Sequence, residues 1–207
     1  MQKTKTAESR SNQAHPDRRN DIRDEAARVF ALKGFHGASV QEIADAIGFT
    51  KASIYYYYKS KEELLFDILT FADQQVSALL EHELFQKAEP LDQLERIVTA
   101  HVTWYLKHPN LAKVAFRDWG ELSGDRLSQQ IQRRRRYSHI LRDLLAQCVC
   151  GSPNKSSHNI TLAANFINGA VAAANIWFDP AGDHTPESVG KAFGKMAVAV
   201  IQGVEAP

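Results

Sequence analysis

Residues 39–65 decide the fold, and they read SVQEIADAIGFTKASIYYYYKSKEELL. Ser39 stands three positions before a glutamate, the pattern of a capping box, and this predicts that a helix begins there. Gly48 ends that helix, because glycine adopts the left-handed conformation of a tight turn without strain. Thr50 then starts a second short helix, and another capping box at Ser60 starts a long one. The stretch therefore predicts a helix, a tight turn, a helix and a further long helix.

The rest of the chain continues the helical spacing of apolar residues and shows no alternation typical of strands. We predict an all-α protein of about nine helices. Residues 1–15 are polar and aperiodic, which indicates a disordered arm. Residues 16–62 should form a three-helix helix-turn-helix domain, and residues 63–207 a larger helical domain.

The composition is that of an ordinary globular domain, with 44% hydrophobic and 24% charged residues. We expect no secretory signal, and no membrane span because no stretch approaches about 18 apolar residues. Cys148 and Cys150 are too few for a disulfide framework and lack the partners of a zinc site. These features predict a cytoplasmic protein without metal or cofactor.

The near-zero net charge conceals an asymmetry between the two predicted domains. The chain through Lys61 carries 11 Lys/Arg against 7 Asp/Glu, and the remainder carries 14 against 17. A basic N-terminal unit on a mildly acidic body favours a polyanion as partner, although an excess of this size is common by chance.

The second helix of a helix-turn-helix lies in the DNA major groove and must present polar and flat side chains outward. Here four consecutive tyrosines, residues 55–58, circle the helix, so they cannot all be core. Ile54 and Tyr58 should face inward, which leaves the other tyrosines beside Lys51 and Lys61 as phosphate donors. A plain helical hairpin with incidental tyrosines is the alternative.

At these positions the chain resembles the DNA-binding domain of TetR-family transcriptional regulators, over residues 18–66. The resemblance is carried by Phe30, Gly34-Phe35, residues 39–44, Gly48 and residues 53–65. Two positions differ: Tyr58, where the family usually has phenylalanine, and Ala52, where glycine or proline is frequent. The resemblance implies a homodimeric repressor that releases a near-palindromic operator when a small molecule binds its body.

The same resemblance assigns contacts with double-stranded operator DNA residue by residue. Base-edge contacts are expected from Gln41, Lys51, Ala52 and Tyr55. Phosphate contacts are expected from Ser39, Ser53, Tyr57 and Lys61. Tyr56 could reach a sugar or a base, and Thr50 completes the predicted set. The N-terminal arm either touches flanking phosphates or remains a free tail.

A predicted helix over residues 125–150 carries an apolar stripe that Arg134 and Ser138 interrupt at its centre. A polar break on a buried face must be paired or must meet a solvated cavity. In the TetR family the corresponding helix lines the ligand cavity, so Arg134 is our candidate for an anionic or carbonyl group of the ligand. A salt bridge to Glu121 or Asp118 is the alternative. The neighbouring arginines 133, 135 and 136 could hold phosphates at a cavity mouth.

Aromatic residues of the middle helices suit a mostly apolar pocket with a few polar groups, although plain core is the more common explanation for any one of them. The other predicted ligand-binding residues are His101, Trp104, Tyr105, Phe116, Trp119, Tyr137 and Leu141. We expect a small hydrophobic or acyl-type effector. The ending Trp177-Phe178-Asp179-Pro180 loosely resembles a TetR subgroup that often senses acyl-CoA thioesters.

Small residues in the stretch 165–178 would let helices approach closely across a two-fold axis, together with the last helix. The predicted dimer-interface residues are Phe166, Gly169, Ala170, Ala173, Trp177, Phe193, Met196 and Val200. The protein should therefore be its own partner.

The sequence contains no glycine-rich phosphate loop, no nucleophile elbow and no metal-ligand spacing, so we predict that it is not an enzyme. A helical enzyme and an interaction module that does not bind DNA are the alternative classes.

Overall fold

The computed structural model describes residues 15–150 and 157–203, and the regular structure in these two ranges is entirely helical, as predicted. Within these ranges, a short 3-10 turn at Trp119–Glu121 follows the sixth of nine α-helices. The helices are α1 His15–Gly37, α2 Val40–Ala46, α3 Lys51–Tyr57, α4 Lys61–Phe85, α5 Pro90–Lys107, α6 Pro109–Arg117, α7 Gly124–Cys148, α8 Ser157–Trp177 and α9 Pro186–Gly203. The predicted arm, up to residue 14, and the predicted loop after Cys150 lie outside the described residues.

The first predicted capping box is present at the start of α2. The Ser39 hydroxyl accepts the backbone N–H of Glu42 at 3.1 Å, and the Glu42 carboxylate accepts the backbone N–H of Ser39 at 2.9 Å. The second box is only half correct. Ser60 accepts the backbone N–H of Glu63 at 3.0 Å, but the Glu63 carboxylate accepts the backbone N–H of Lys59 at 2.8 Å. The carboxylate still binds a backbone donor ahead of α4, one residue earlier than a capping box requires.

Two kinds of glycine shape the chain. Gly48 joins α2 to α3 with a φ of 69°, the left-handed turn conformation that the sequence predicted. Gly190 on α9 instead permits close approach to α5, because a Cβ there would lie 2.2 Å from Thr103 Oγ1 and 2.7 Å from the Thr99 carbonyl oxygen.

Two hydrophobic clusters meet on α4. The first joins α1–α3 to the start of α4, as far as Ala72, and includes Leu111 and Val114 of α6. The second begins at Val76 and joins the rest of α4 to α5, α7, α8 and α9. We call the part built on the first cluster the head and the rest the body. The two clusters change over between Ala72 and Val76 of α4, and the domain boundary after residue 62 stays a prediction.

Part of α8 bears on the expectation that the chain has no membrane span. The segment Asn159–Trp177 has a mean hydropathy of 1.3, which by length and composition alone would allow it to cross a membrane. One face of this helix lies in the core of the body through Ala164 and Ile167. A core helix passes the same test, so the segment is weak support for a membrane span.

Candidate DNA-binding face and ligand cavity

Helix α3 has one buried face and one exposed face, as predicted. Thr50 caps the helix by accepting the backbone N–H of Ser53 at 3.1 Å, and the two hydroxyls lie 2.8 Å apart. Ile54 and Tyr58 are both 1% exposed and lock the helix into the head. The outer face carries the exposed residues Lys51, Ala52, Tyr55 and Tyr56.

The outer face of α3 is aromatic and basic at once. Tyr56 is 73% exposed, and its ring packs edge-on against Tyr57 with 5.2 Å between centroids. The Lys51 ammonium lies 5.9 Å from the ring centroid of Tyr55. Phenolic hydroxyls and an ammonium side by side can donate to phosphate oxygens, and the flat rings can pack against sugars or bases.

Helix α2 presents one further predicted base-contact residue, Gln41. Its exposed side chain donates from Nε2 to Asp45 Oδ1 at 2.7 Å, which fixes its orientation along the helix. Behind it, Glu42 pairs with Lys33 and accepts from Ser39. These donors, with Lys33 the largest cause, lower the pKa of Glu42 to about 2.

The hydroxyl of Tyr58 makes a hydrogen bond that a phenylalanine at this position could not make. Its hydroxyl lies 2.8 Å from Asp67 Oδ2, and the Arg19 guanidinium lies 4.8 Å from its ring centroid while pairing with Asp67 at 3.1 Å. Burial and the Asp67 carboxylate raise the pKa of Tyr58. The end of α3 is thereby tied to α1 and α4. Sequence reasoning missed this contact, for which the only signal was an aspartate nine residues further on.

The Lys61 side chain already makes hydrogen bonds within the head. Its ammonium donates to the carbonyl oxygens of Phe35 at 2.7 Å and Ala38 at 2.9 Å, and lies 4.6 Å from the Phe35 ring centroid. An ammonium has three donors, so one remains for an outside acceptor such as a phosphate. Its predicted DNA contact is thus combined with a structural role that the sequence did not indicate.

The predicted DNA-binding residues lie on α2, α3 and the adjoining caps. Those that are exposed are Ser39, Gln41, Thr50, Lys51, Ala52, Tyr55 and Tyr56, and those that are half-buried are Ser53, Tyr57 and Lys61.

The body contains a cavity of about 860 Å³ between α4, α5, α7 and α8. Seven predicted ligand-binding residues line it: His101, Tyr105, Phe116, Trp119, Arg134, Tyr137 and Ser138. Two others lie outside the lining. Trp104 stacks on His108 with 4.4 Å between ring centroids, and Leu141 is buried in the core. Gly169, predicted for the dimer interface, is part of the lining, and so is Asp73 of α4, which sequence reasoning missed.

Four consecutive arginines, residues 133–136, line one side of this cavity, and the last three are exposed. The Arg134 guanidinium lies 4.7 Å from the Trp119 ring centroid and donates to the Ala115 carbonyl oxygen at 3.4 Å. The carboxylates named for the alternative salt bridge have other partners. Asp118 binds Arg117 at 2.7 Å, and Glu121 binds His36 at 2.5 Å. We call this arginine side the rim.

Away from the rim, the cavity wall around His101 is buried. This residue is 4% exposed, and its Nδ1 lies 2.6 Å from the Tyr137 hydroxyl. Burial lowers the pKa of His101 to about 3, so the imidazole is neutral at neutral pH. Burial also raises the pKa of Tyr105 and of Tyr137, which keeps both phenols protonated. We call this region the inner wall.

Direct contacts connect α6 and α7 to the head. Arg117 donates to the carbonyl oxygens of Phe30 and of Ala31, the latter at 3.3 Å. Glu62 accepts from the backbone N–H and the hydroxyl of Ser123 at 2.8 and 2.9 Å. A movement of α6 would therefore change its hydrogen bonds with α1.

An apolar face of α8 and α9 lies open on the single chain. Phe166, Trp177 and Met196 are 63%, 53% and 60% exposed, and Trp177 stacks against Phe193 at 6.0 Å between centroids. The other predicted interface residues, Ala170, Ala173 and Val200, are half-buried. Exposed apolar faces of this kind mark interaction sites.

A helix-turn-helix head on a helical body with an internal cavity defines the class of DNA-binding regulators. Residues 22–68 match the family model of bacterial regulatory proteins of the tetR family, and residues 87–201 match the tetracyclin repressor-like C-terminal domain. The chain belongs to the TetR family of transcriptional regulators.

Relatives support the same class. The transcriptional repressor KstR2 of Mycobacterium tuberculosis is 25% identical over 178 residues, 85% of this chain and 88% of KstR2. Its solved structure matches with a TM-score of 0.81 at 23% identity, over 89% of this chain and 95% of that chain. The fatty acid metabolism regulator protein of Bacillus subtilis is 27% identical over 151 residues, 72% of this chain and 77% of that protein.

A third match is the structure of AibR in complex with isovaleryl coenzyme A and operator DNA. It has a TM-score of 0.77 at 24% identity and covers 86% of this chain and 97% of that chain. This likeness shows the fold. Because the relatives are regulators and repressors, this protein is a DNA-binding transcriptional regulator and not an enzyme.

Proposed function

We propose that this protein is a cytoplasmic repressor that binds a near-palindromic operator as a homodimer and leaves it when a hydrophobic anion enters the body. The observation that carries the proposal is the presence in one chain of an exposed, basic and aromatic α3 and a cavity of about 860 Å³ with arginines on its rim. Cavities of this size suit a drug-sized or cofactor-sized molecule.

In the complex with DNA, α3 lies in the major groove. Gln41, Lys51, Ala52 and Tyr55 meet base edges, and Ser39, Ser53, Tyr57 and Lys61 meet phosphates. The exposure of Gln41, Lys51 and Tyr55 supports the first group. Tyr56, which is the most exposed tyrosine of α3, reaches a sugar or a base.

The open apolar face of α8 and α9 is the dimer interface. A monomer would leave Phe166, Trp177 and Met196 in water, and a second copy would cover them. Two-fold symmetry then gives two copies of α3, which bind half-sites about 34–36 Å apart on one side of the duplex.

The effector is an acyl-CoA or a similar hydrophobic anion. Guanidinium groups bind phosphates and carboxylates through paired hydrogen bonds, so the rim suits the charged part of such a molecule. The apolar part of the effector can pack against Phe116, Trp119 and Val171, which line the cavity. The name of the Bacillus subtilis relative and the isovaleryl coenzyme A bound to AibR support this chemical class.

Release follows a contact path from the rim to the head. Arg134 contacts Trp119 and the Ala115 carbonyl, and Arg117, two residues beyond Ala115, holds α1. An anion bound at Arg134 displaces the adjoining turn of α6 and, through Arg117, shifts the spacing of the two α3 helices. The displacement requires the bound anion, and loss of the Arg134 contacts alone does not produce it. Such a ligand acts only if it binds the DNA-free state better, and a coupling of about 1–3 kcal/mol gives about 5–150-fold release.

Selection of bound duplexes from a random pool, followed by footprinting and the mass of the complex, tests the DNA part of this proposal. We expect two inverted half-sites and one protein dimer on each duplex. A monomer on a single asymmetric half-site would contradict it.

A further inference from the structure

The cavity changes its chemistry from the rim to the inner wall. At the rim, Arg134 is exposed and charged. At the inner wall, His101 and Tyr105 are 4% and 7% exposed, and their rings lie 4.5 Å apart between centroids. A molecule that fills the cavity therefore has one end among cations and the other against neutral, buried rings.

One atom of the inner wall lacks a partner. His101 Nδ1 is engaged by the Tyr137 hydroxyl, but His101 Nε2 is buried and makes no hydrogen bond with the described part of the chain. A buried polar group without a partner is costly, by about 1–3 kcal/mol, so structures generally provide one. His101 belongs to the cavity lining although Nε2 itself is covered, so a ligand supplies that partner once it displaces the side chains over Nε2.

The charges around the inner wall select a neutral partner. Burial favours the neutral imidazole, which offers an anion no charge to pair with. Asp73 lines the same cavity, and its Oδ2 is also buried without a hydrogen-bond partner among the described residues. Burial raises the pKa of Asp73, while Gln130, Arg133 and Arg134 act in the opposite direction. A carboxylate at this end of the ligand would gain no ion pair from the neutral imidazole and would share the cavity with the Asp73 carboxyl group.

We propose that His101 recognises a neutral oxygen, a hydroxyl or a carbonyl, on the buried end of the effector, so that the protein distinguishes an oxygenated hydrophobic chain from a plain hydrocarbon chain. A hydroxyl satisfies Nε2 in either tautomer, and a carbonyl satisfies it when Nε2 carries the proton. This inference rests on the proposed function, because it assigns the far end of the same effector.

Calorimetric titration with three CoA thioesters of equal chain length tests the inference. The probes are decanoyl-CoA, 10-hydroxydecanoyl-CoA and 9-oxodecanoyl-CoA. We expect at least one oxygenated probe to bind about tenfold more tightly than decanoyl-CoA, which corresponds to one satisfied buried group. The hydroxyl and the carbonyl probe also show which oxygen is preferred.

His101→Phe should abolish this preference, since phenylalanine keeps the ring but has no polar atom. His139→Phe is the matched control, because His139 is exposed on α7 and outside the cavity lining, and it should keep the preference. The comparison of the three probes in the wild-type protein remains decisive even if His101→Phe fails to fold.

A fragment without CoA separates the two ways in which the test can fail. Cyclohexanol should shift the ¹⁵N resonance of His101 Nε2, and methylcyclohexane should not. If only cyclohexanol acts and no thioester binds, the acyl-CoA assignment is wrong and the inference stands. If the thioesters bind equally and cyclohexanol has no effect, the inference is wrong and the proposed effector class stands.

Discussion

The head and the body are both helical and share α4, but different forces fix their functional surfaces. In the head, short-range hydrogen bonds from Ser39, Thr50 and Ser60 set the starts of α2, α3 and α4, and Gly48 sets the turn. The proposed DNA-binding surface then consists of the side chains of α2 and α3 that face solvent. In the body, the cavity exists because side chains distant in sequence converge, such as Asp73, His101 and Tyr137. A substitution on the outer face of the head should therefore change one contact, whereas a substitution in the body should disturb the packing of several helices.

Gly190→Ala should give the largest loss of stability. The new Cβ would lie 2.7 Å from the Thr99 carbonyl oxygen, so α9 and α5 must separate, and forced overpacking costs about 1–3 kcal/mol or more. Urea unfolding followed by circular dichroism measures this. Gly203→Ala is the control, because a Cβ there would have no neighbour within 4 Å. Equal stability of the two variants would show that α5 and α9 are not closely packed.

Gln41→Ala should change DNA binding without changing the body. A lost bidentate base contact costs about 1–3 kcal/mol at the contacted base pair, so the variant should tolerate substitutions there. Binding to a set of single-base operator variants, followed by fluorescence anisotropy, measures this.

Lys61→Ala provides the contrast to Gln41→Ala. It should weaken binding to all duplexes alike and reduce the salt slope by about one unit. A Gln41→Ala variant that weakened every duplex equally would contradict the assignment of Gln41 to a base.

Gly48→Ala should destabilise the head for a conformational reason. Gly48 has a φ of 69° with no atom within 4 Å of a built Cβ, so the cost is that of the left-handed conformation, about 1–2 kcal/mol. Gly48→Asn should cost less, because asparagine tolerates this conformation. Urea unfolding of both variants compares them. If Asn cost as much as Ala, steric crowding rather than conformation would explain the glycine.

Acid should act on the two regions in different pH windows. The pKa of His101 in the body falls from 6.5 to about 3 on folding, so its contribution to stability is present above pH 6.5 and is lost as the pH falls toward 3. The pKa of Glu42 in the head falls from 4.5 to about 2, so its smaller, solvent-screened contribution is lost between these values. The free energy of unfolding as a function of pH measures both.

Two variants show which residue causes the loss of stability in each pH window. His101→Phe should flatten the profile between pH 4.5 and 6.5, where Glu42 does not contribute, and Glu42→Gln should flatten it between about pH 2 and 3, where His101 does not contribute. A pH profile that both variants leave unchanged would contradict the origin given for the acid sensitivity.

The same contrast explains what the sequence could predict. The Ser39 capping box, the Gly48 turn and the inward direction of Ile54 and Tyr58 depend on spacing within a few residues, and all are present. The bond between Tyr58 and Asp67 joins two helices, and sequence reasoning missed it.

In the body, helical spacing, aromatic composition and the resemblance to the TetR family together pointed to seven residues that line the cavity. They could not show that Trp104 lies outside the lining or that Asp73 belongs to it, because both depend on how helices rotate against one another. The arginine run was visible in the sequence, but its contact with Trp119 required the fold.

Titration of an effector against the protein–operator complex tests the link between body and head most directly. Decanoyl-CoA is added to the complex with the selected duplex, and release is followed by fluorescence anisotropy for the wild type, Arg134→Ala and Arg142→Ala. Arg142 lies on the same helix but outside the cavity lining, so it is the matched control. We predict that Arg134→Ala dimerises and binds the operator like the wild type, yet requires about 5–150-fold more decanoyl-CoA for release, while Arg142→Ala behaves like the wild type. Equal release from all three proteins, or no release from any, would contradict control of the head through the arginine rim.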